Sequence, residues 1–339
     1  MLYITTRNKI DSFTAYKALR DGFAPDGGQF LPILMPSLSK EKVQSLMEMS
    51  FCDAVAYLLN VFFQANLTGW DVEFVVGKKP LKFASVGRKI TVVEFWNNAD
   101  QGMEDFINRI YLRLCNNDFA CGKAKGWALI AIRIAFLFGA FALLHQEQVQ
   151  IMDVAVTGKD FDNMMAVWYA RKMGLPIGLI LCGTNDNRGL WDLINKGQID
   201  TGAPLVHTNT PDMDNTMPLA IERLVYEIAG REEALSYLQK AKNRDVYRLP
   251  EHFRAQLAQG LVSSVVGENR VTDMINSVYR THGYFINPYL AISYSTLQDY
   301  RAKTGENRMT LLISENAPAE NAGIISAATG VAEGLIKNA

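Results

Sequence analysis

The run IMDVAVTGKDFDNMMAVWYARKMGLPIGLILCGTNDNRGLW, Ile151 to Trp191, decides the fold. Ile151 to Val156 and Ile177 to Leu181 are short apolar runs of strand character. Phe161 to Met173 between them repeats apolar residues at helical spacing. Gly174 stops that helix and Pro176 prevents it restarting. Strand, helix and strand in this order make a right-handed βαβ unit with parallel strands. Ligands of such sheets sit at the carboxyl ends of the strands. Here those ends are Thr157-Gly158-Lys159-Asp160 and Gly183-Thr184-Asn185-Asp186-Asn187. Both lead into a helix N-terminus, whose free N–H groups favour an anion. Two readings stay open: an anion site, or a plain sheet edge with ordinary turn residues.

A chain of 339 residues, 49% hydrophobic with a formal net charge of −1, can bury a large core. No basic excess points to nucleic acid. Cys52, Cys115, Cys121 and Cys182 are scattered, with no histidine at metal-ligand spacing. Few cysteines and no signal peptide lead us to expect a cytoplasmic protein. Trp127 to Leu144 is apolar almost throughout, but Arg133 interrupts it and it has no companion. It reads as a core helix rather than a membrane span.

Outward from the centre, Ser12 starts a short helix to Arg20, and Phe30-Leu31 reads as a strand. Ser39 to Met49 and Ser50 to Leu67 read as helices. Val72 to Val76, Leu81 to Val86 and Ile90 to Phe95 read as strands, and Asp105 to Leu114 as a helix. Asn116 to Gly126 is a polar loop. Past the centre we expect a strand over Ala203 to Thr208 and a helix from Met217 to Lys242 broken near Gly230. A strand from Leu261 to Val266 follows, then helices from Glu268 and Pro288, and a last strand from Met309 to Ile313. Helices and strands alternate as in a parallel sheet covered on both faces, so the fold class is α/β. Phosphate-loop, dinucleotide, serine-hydrolase and zinc-protease motifs are absent. Asp212 and Asp214 read as a cation pair or as solvated loop carboxylates, and Lys159 as a phosphate contact or a surface lysine.

Several patches resemble the threonine synthase family, fold-type II pyridoxal-phosphate lyases that convert O-phosphohomoserine to threonine. Tyr3-Ile4-Thr5-Thr6-Arg7 and Gly22-Phe23-Ala24-Pro25-Asp26-Gly27-Gly28 are similar to its N-terminal signature. Ala155 to Asp162 resembles its Ala-Val-Pro-Thr-Gly-Asn-Phe-Gly-Asp stretch, and Arg171 to Ile177 the segment after it. Thr184 to Asn187, Pro211 to Asp214 with Pro218 and Glu222 to Leu224, Gly283 to Ala291, and Ser314 continue the likeness. The resemblance implies amino-acid biosynthesis, a tryptophan-synthase-β-type fold, and cofactor contacts from Thr157, Gly158, Lys159, Asp160, Phe161 and Ser314. It implies an N-terminal segment over 1–70, a reduced small lobe over 71–126 and a large α/β domain over 127–339.

The chain departs from the family's pattern at its chemistry. In the family, His-Gly-Pro-Thr-x-x-Phe-Lys-Asp-Phe follows a Glu-Leu-Phe strand and supplies the Schiff-base lysine. Laid without gaps from Glu94, this chain places Glu104 at that lysine. A carboxylate cannot condense with an aldehyde. The family's Ser-Gly-Asp-Thr-Gly lobe is missing, Leu129 replaces an arginine, and Lys159 and Asp160 replace glycine and asparagine. Asn287-Pro288-Tyr289 stands for Asp-Pro-His, and Ser314 keeps the residue type that meets the pyridine nitrogen. The leading expectation is a catalytically degenerate relative, a pseudoenzyme binding a small anionic ligand or a protein partner, with homo-oligomerisation open. The alternative is an active pyridoxal-phosphate lyase using another lysine, with Lys82, Lys89, Lys123 and Lys125 as candidates. Glu104 is expected at a helix N-terminus facing the former cofactor cleft.

Overall fold

Thr14, Ser39, Ser50 and Thr68 each accept a hydrogen bond from the backbone N–H three residues on. A helix starts after each: α1 (Ala15–Asp21), α2 (Lys40–Met47), α3 (Phe51–Phe63) and α4 (Gly69–Val76). The last corrects the strand expected over Val72 to Val76. Thr68 and Asp71 form a reciprocal capping box, which commits that apolar run to a helix. Thr14, not Ser12, is the first cap, because Phe13–Thr14 is a strand.

This computed structural model describes residues 1–8, 10–77, 81–96, 102–144, 150–157 and 161–338. They form two units. The first contains residues 1–80, 103–151 and 165–176. In it, β1 (Leu2–Thr5), β2 (Phe13–Thr14) and β3 (Phe30–Pro32) make an antiparallel sheet in the order β2-β1-β3. The helices continue with α5 (Met103–Leu114), α6 (Gly126–Leu144) and most of α7 (Asp162–Lys172). The helix α6 is long and apolar enough to cross a membrane, but it is buried along most of its length and packs on α3. Its Trp127 is fully buried, with Tyr3, Phe62 and Tyr169 ring centroids at 6.1, 5.5 and 5.4 Å.

The second unit contains residues 81–102, 152–164 and 177–339. Its strands are β4 (Lys82–Ser85), β5 (Ile90–Glu94), β6 (Met152–Ala155), β7 (Ile177–Leu181), β8 (Gln198–Asp200), β9 (Val246–Arg248), β10 (Leu261–Val262) and β11 (Thr310–Ser314). Six make one sheet in the order β10-β7-β6-β11-β5-β4, parallel except for the antiparallel edge strand β4. The expected βαβ unit is therefore present, with β6 and β7 adjacent and parallel. Its helices are α8 (Gly189–Lys196), α9 (Leu219–Asn243), α10 (Glu251–Ala258), α11 (Glu268–His282), α12 (Pro288–Thr304), α13 (Ala322–Thr329) and α14 (Glu333–Ile336). Gly230, at φ 83°, breaks α9 where the sequence placed the break.

Residues 71–126 are divided, with 81–102 in the second unit because β5 pairs with β11 in the large sheet. Among the described residues, the other two sheets are antiparallel, and 103–126 holds α5 and one 3₁₀ turn. No strand forms over Ala203 to Thr208. Its backbone is bonded by side chains instead: Val206 N–H donates to Asn187 Oδ1 at 2.9 Å, and Thr208 N–H to Asp214 Oδ2 at 2.8 Å.

Candidate functional site

The carboxyl ends of β5, β6, β7, β10 and β11 carry Trp96, Thr157, Thr184-Asn185, Ser263 and Ser314, all in the second unit. Of the cofactor residues implied by the resemblance, Thr157, Phe161 and Ser314 are described. Gly158, Lys159 and Asp160 lie outside the described residues.

Thr157 turns its hydroxyl toward α12. Its Oγ1 donates to Tyr289 O at 3.1 Å and accepts from Ser293 Oγ at 3.4 Å, while Asn163 Nδ2 donates to Thr157 O at 2.7 Å. That hydroxyl proton is spent inside the protein. Phe161 is buried in the left-handed region at φ 59°, a conformation non-glycine residues seldom adopt.

Ser314 ends β11, buried at 4% exposure. Its Oγ accepts from Trp96 Nε1 at 3.3 Å and lies 3.5 Å from Asn316 O, to which it donates. Asn287, the cap of α12, donates to the same Asn316 carbonyl at 3.1 Å. The ladder between β5 and β11 continues through Phe95 N–H to Ser314 O at 2.9 Å, so Trp96 follows a fixed residue. Beside it, Tyr284 donates to the buried Glu94 carboxylate at 2.6 Å. Burial first, and then the Glu94 charge, push the Tyr284 phenol far up, so it stays a donor. Lys82 Nζ stands 5.6 Å from the Trp96 ring centroid.

The loop after β7 is tied by a polar knot. Asp214 accepts from Asn185 Nδ2 (2.8 Å), Asn187 Nδ2 (3.1 Å), Thr208 Oγ1 (2.7 Å) and Thr208 N–H (2.8 Å). Asn185 Nδ2 also lies within reach of Thr208 and Thr210 hydroxyls, and its two protons serve at most two of these three acceptors at once. Asp214 is therefore a half-buried carboxylate bonded within the chain. Its neighbour Asp212 is exposed and pairs with Tyr289 Oη at 3.2 Å. Gly183 is required here by close approach, since a Cβ would strike the Thr296 hydroxyl and the Ile292 side chain of α12.

Glu104 lies in the first turn of α5, in the first unit. Its side chain is 72% exposed and accepts from Lys123 Nζ at 3.1 Å. Asn108 and Tyr111, at helical spacing beyond it, bind the same returning segment: Ala124 N–H donates to Asn108 Oδ1 at 3.0 Å, and Tyr111 Oη donates to Cys121 O at 3.4 Å. Glu104 thus helps clasp residues 121–124 onto α5, rather than standing as a buried carboxylate. Lys125 lies over Gly22 and lines a cavity of about 420 Å³ with Arg20 and Cys121, within the first unit. A second cavity, of about 410 Å³, lies beside Asn187, Arg188 and Thr216 in the second unit. Neither is lined by Ser314 or Thr157.

Taken as a class, this is an α/β protein with a mostly parallel sheet and the fold of threonine synthases. A pyridoxal-phosphate-bound threonine synthase from Brucella melitensis superposes with a TM-score of 0.85 at 17% identity, over 98% of this chain and 92% of that one. The family "Threonine synthase N terminus" matches residues 2–78. Threonine synthase-like 1 of Macaca fascicularis is 28% identical over 145 residues, 42% of this chain and 20% of that protein. Threonine synthase of Methylobacillus glycogenes is 31% identical over 150 residues, 41% of this chain and 31% of that protein. The chain thus spans less than half the length of these curated relatives. Its sequence is similar to threonine synthases over part of its length, and it shares their fold.

Two of the described residues that the resemblance sets at the cofactor are bonded within the chain. Glu104, which the resemblance sets against the family's lysine, is an exposed glutamate, and Ser314 Oγ accepts from Trp96 Nε1 and lies 3.5 Å from Asn316 O.

Proposed function

We propose that this chain keeps the threonine synthase fold without its reaction and acts as a binding protein for a small anionic ligand. The observation that carries this reading is Glu104: the residue aligned with the Schiff-base lysine is a carboxylate, solvent-facing and spent on Lys123. The proposed anion contact is the stretch from Thr157 to Phe161, between β6 and α7 in sequence, because a helix N-terminus favours negative charge. Thermal-shift titration with phosphate, pyridoxal phosphate and O-phosphohomoserine tests it. A ligand that raises the melting temperature of the wild type but not of Lys159→Ala supports the anion site. No shift at millimolar concentration removes it. A protein partner in place of a small ligand would appear as a defined complex on copurification.

A second reading has one observation in its favour. Lys82 brings an amine over the Trp96 ring, at the same strand ends as Ser314. A pyridoxal-phosphate lyase using Lys82 would show borohydride-fixed cofactor on that residue.

A further inference from the structure

We infer that Trp96 is a built-in occupant of the place beside Ser314 where the family's cofactor ring would be received, so that the indole and a pyridine ring exclude each other there. The inference rests on the non-catalytic reading above and names what fills the disused position.

Three features of the second unit carry it. First, the hydrogen-bond capacity of Ser314 matches the indole. A hydroxyl offers one proton and two lone pairs. Trp96 Nε1–H, which can only donate, takes the acceptor role at 3.3 Å, and the hydroxyl proton goes to Asn316 O at 3.5 Å. A pyridine nitrogen, protonated or not, would have to reach the same oxygen that the buried indole N–H already faces at 3.3 Å. Second, Trp96 is seated rather than draped. It is 6% exposed, and the residue before it is pinned by the Phe95 N–H to Ser314 O bond. Third, the surroundings complement an electron-rich ring. Lys82 holds its ammonium over one region of the indole, as a cation over a ring face is held electrostatically. Tyr284 donates to the neighbouring buried Glu94 carboxylate at 2.6 Å.

The test uses two ring probes that cannot form an imine: indole, and pyridoxine, which carries the pyridine ring without an aldehyde. Each is titrated by thermal shift against the wild type, Trp96→Phe and Trp96→Ala. The inference predicts that both probes, at millimolar concentration, raise the melting temperature of Trp96→Ala by several degrees. It predicts no shift for the wild type or Trp96→Phe, whose own ring still fills the place. An unchanged Trp96→Ala melting temperature with both probes overturns it, as does pyridoxine stabilising the wild type with the Trp96 emission unaltered. If Trp96→Ala does not fold, Ser314→Ala decides. The Trp96 emission, taken as the difference from Trp96→Phe, must shift when the hydroxyl is removed, and an unmoved spectrum overturns the inference. Failure of the non-catalytic reading looks different, because it is a borohydride-stable adduct on the wild type, which neither probe can give.

Discussion

Replacing Asp214 by Asn is the sharpest test of what holds the loop at the carboxyl end of β7. The carboxylate accepts four hydrogen bonds, from Asn185, Asn187 and twice from Thr208. With the amide oxygen at the Oδ1 position, the new NH₂ faces the Thr208 N–H, donor against donor. Hydrogen bonds to a charged group are worth about 1.5–3 kcal/mol each, and they do not add when they share one acceptor. Asp214 is half-buried, so some donors recover water. We expect a net loss of about 3 kcal/mol, the scale of losing two such bonds outright. At roughly 2–3 °C per kcal/mol for a large chain, the melting temperature should fall by about 6–9 °C. Differential scanning fluorimetry of Asp214→Asn measures it, with the exposed Asp212→Asn as the comparison, expected within about 1 °C of wild type. A shift below 2 °C (roughly 1 kcal/mol on the same scale) for Asp214→Asn would show that the knot is solvent-supported and refute the reasoning.

Glu104→Ala should lower the melting temperature by no more than about 1 °C, because an exposed ion pair contributes about 0.5 kcal/mol or less; a loss of several degrees would mean that Glu104 does more than clasp Lys123. The Arg113 guanidinium, with help from Thr68, holds the Asp71 carboxyl down at about 2, from an ordinary 3.8. Its contribution is therefore complete above about pH 4 and is lost as pH falls toward 2. Trp70 emission followed through that range should change in the wild type and much less in Asp71→Asn. Burial pushes the Cys52 thiol up to about 11 and, together with Cys121, the Cys115 thiol to about 12. A thiol reagent at pH 8 should therefore leave the buried Cys52, Cys115 and Cys182 of the native protein unlabelled while labelling all four cysteines after denaturation.

The central βαβ unit was legible because its signals are local: two apolar strands, helical spacing between them, and Gly174 with Pro176 to end the helix. The broken α9 was legible for the same reason, through Gly230. Val72 to Val76 misled because a short apolar run has no period of its own. The deciding signal was Thr68 with Asp71, a capping box readable just upstream. Ala203 to Thr208 misled because its backbone partners are side chains from elsewhere in the chain, Asn187 and Asp214, which no strand propensity reveals. At the candidate site, alignment singled out Ser314 and Glu104. It could not show that Trp96 reaches Ser314 across 218 residues, since only the pairing of β5 with β11 brings them together. Nor could it separate Asp214, bound in a knot, from Asp212, exposed, two residues apart.

Incubating the purified chain with pyridoxal phosphate, reducing with borohydride and measuring the intact mass tests the central claim most directly. With a carboxylate at residue 104 and the Ser314 hydroxyl spent on Trp96 and Asn316, the account predicts no stoichiometric cofactor adduct and an unchanged mass. A single adduct at full occupancy, mapped to Lys82 or to any other one lysine, would contradict it.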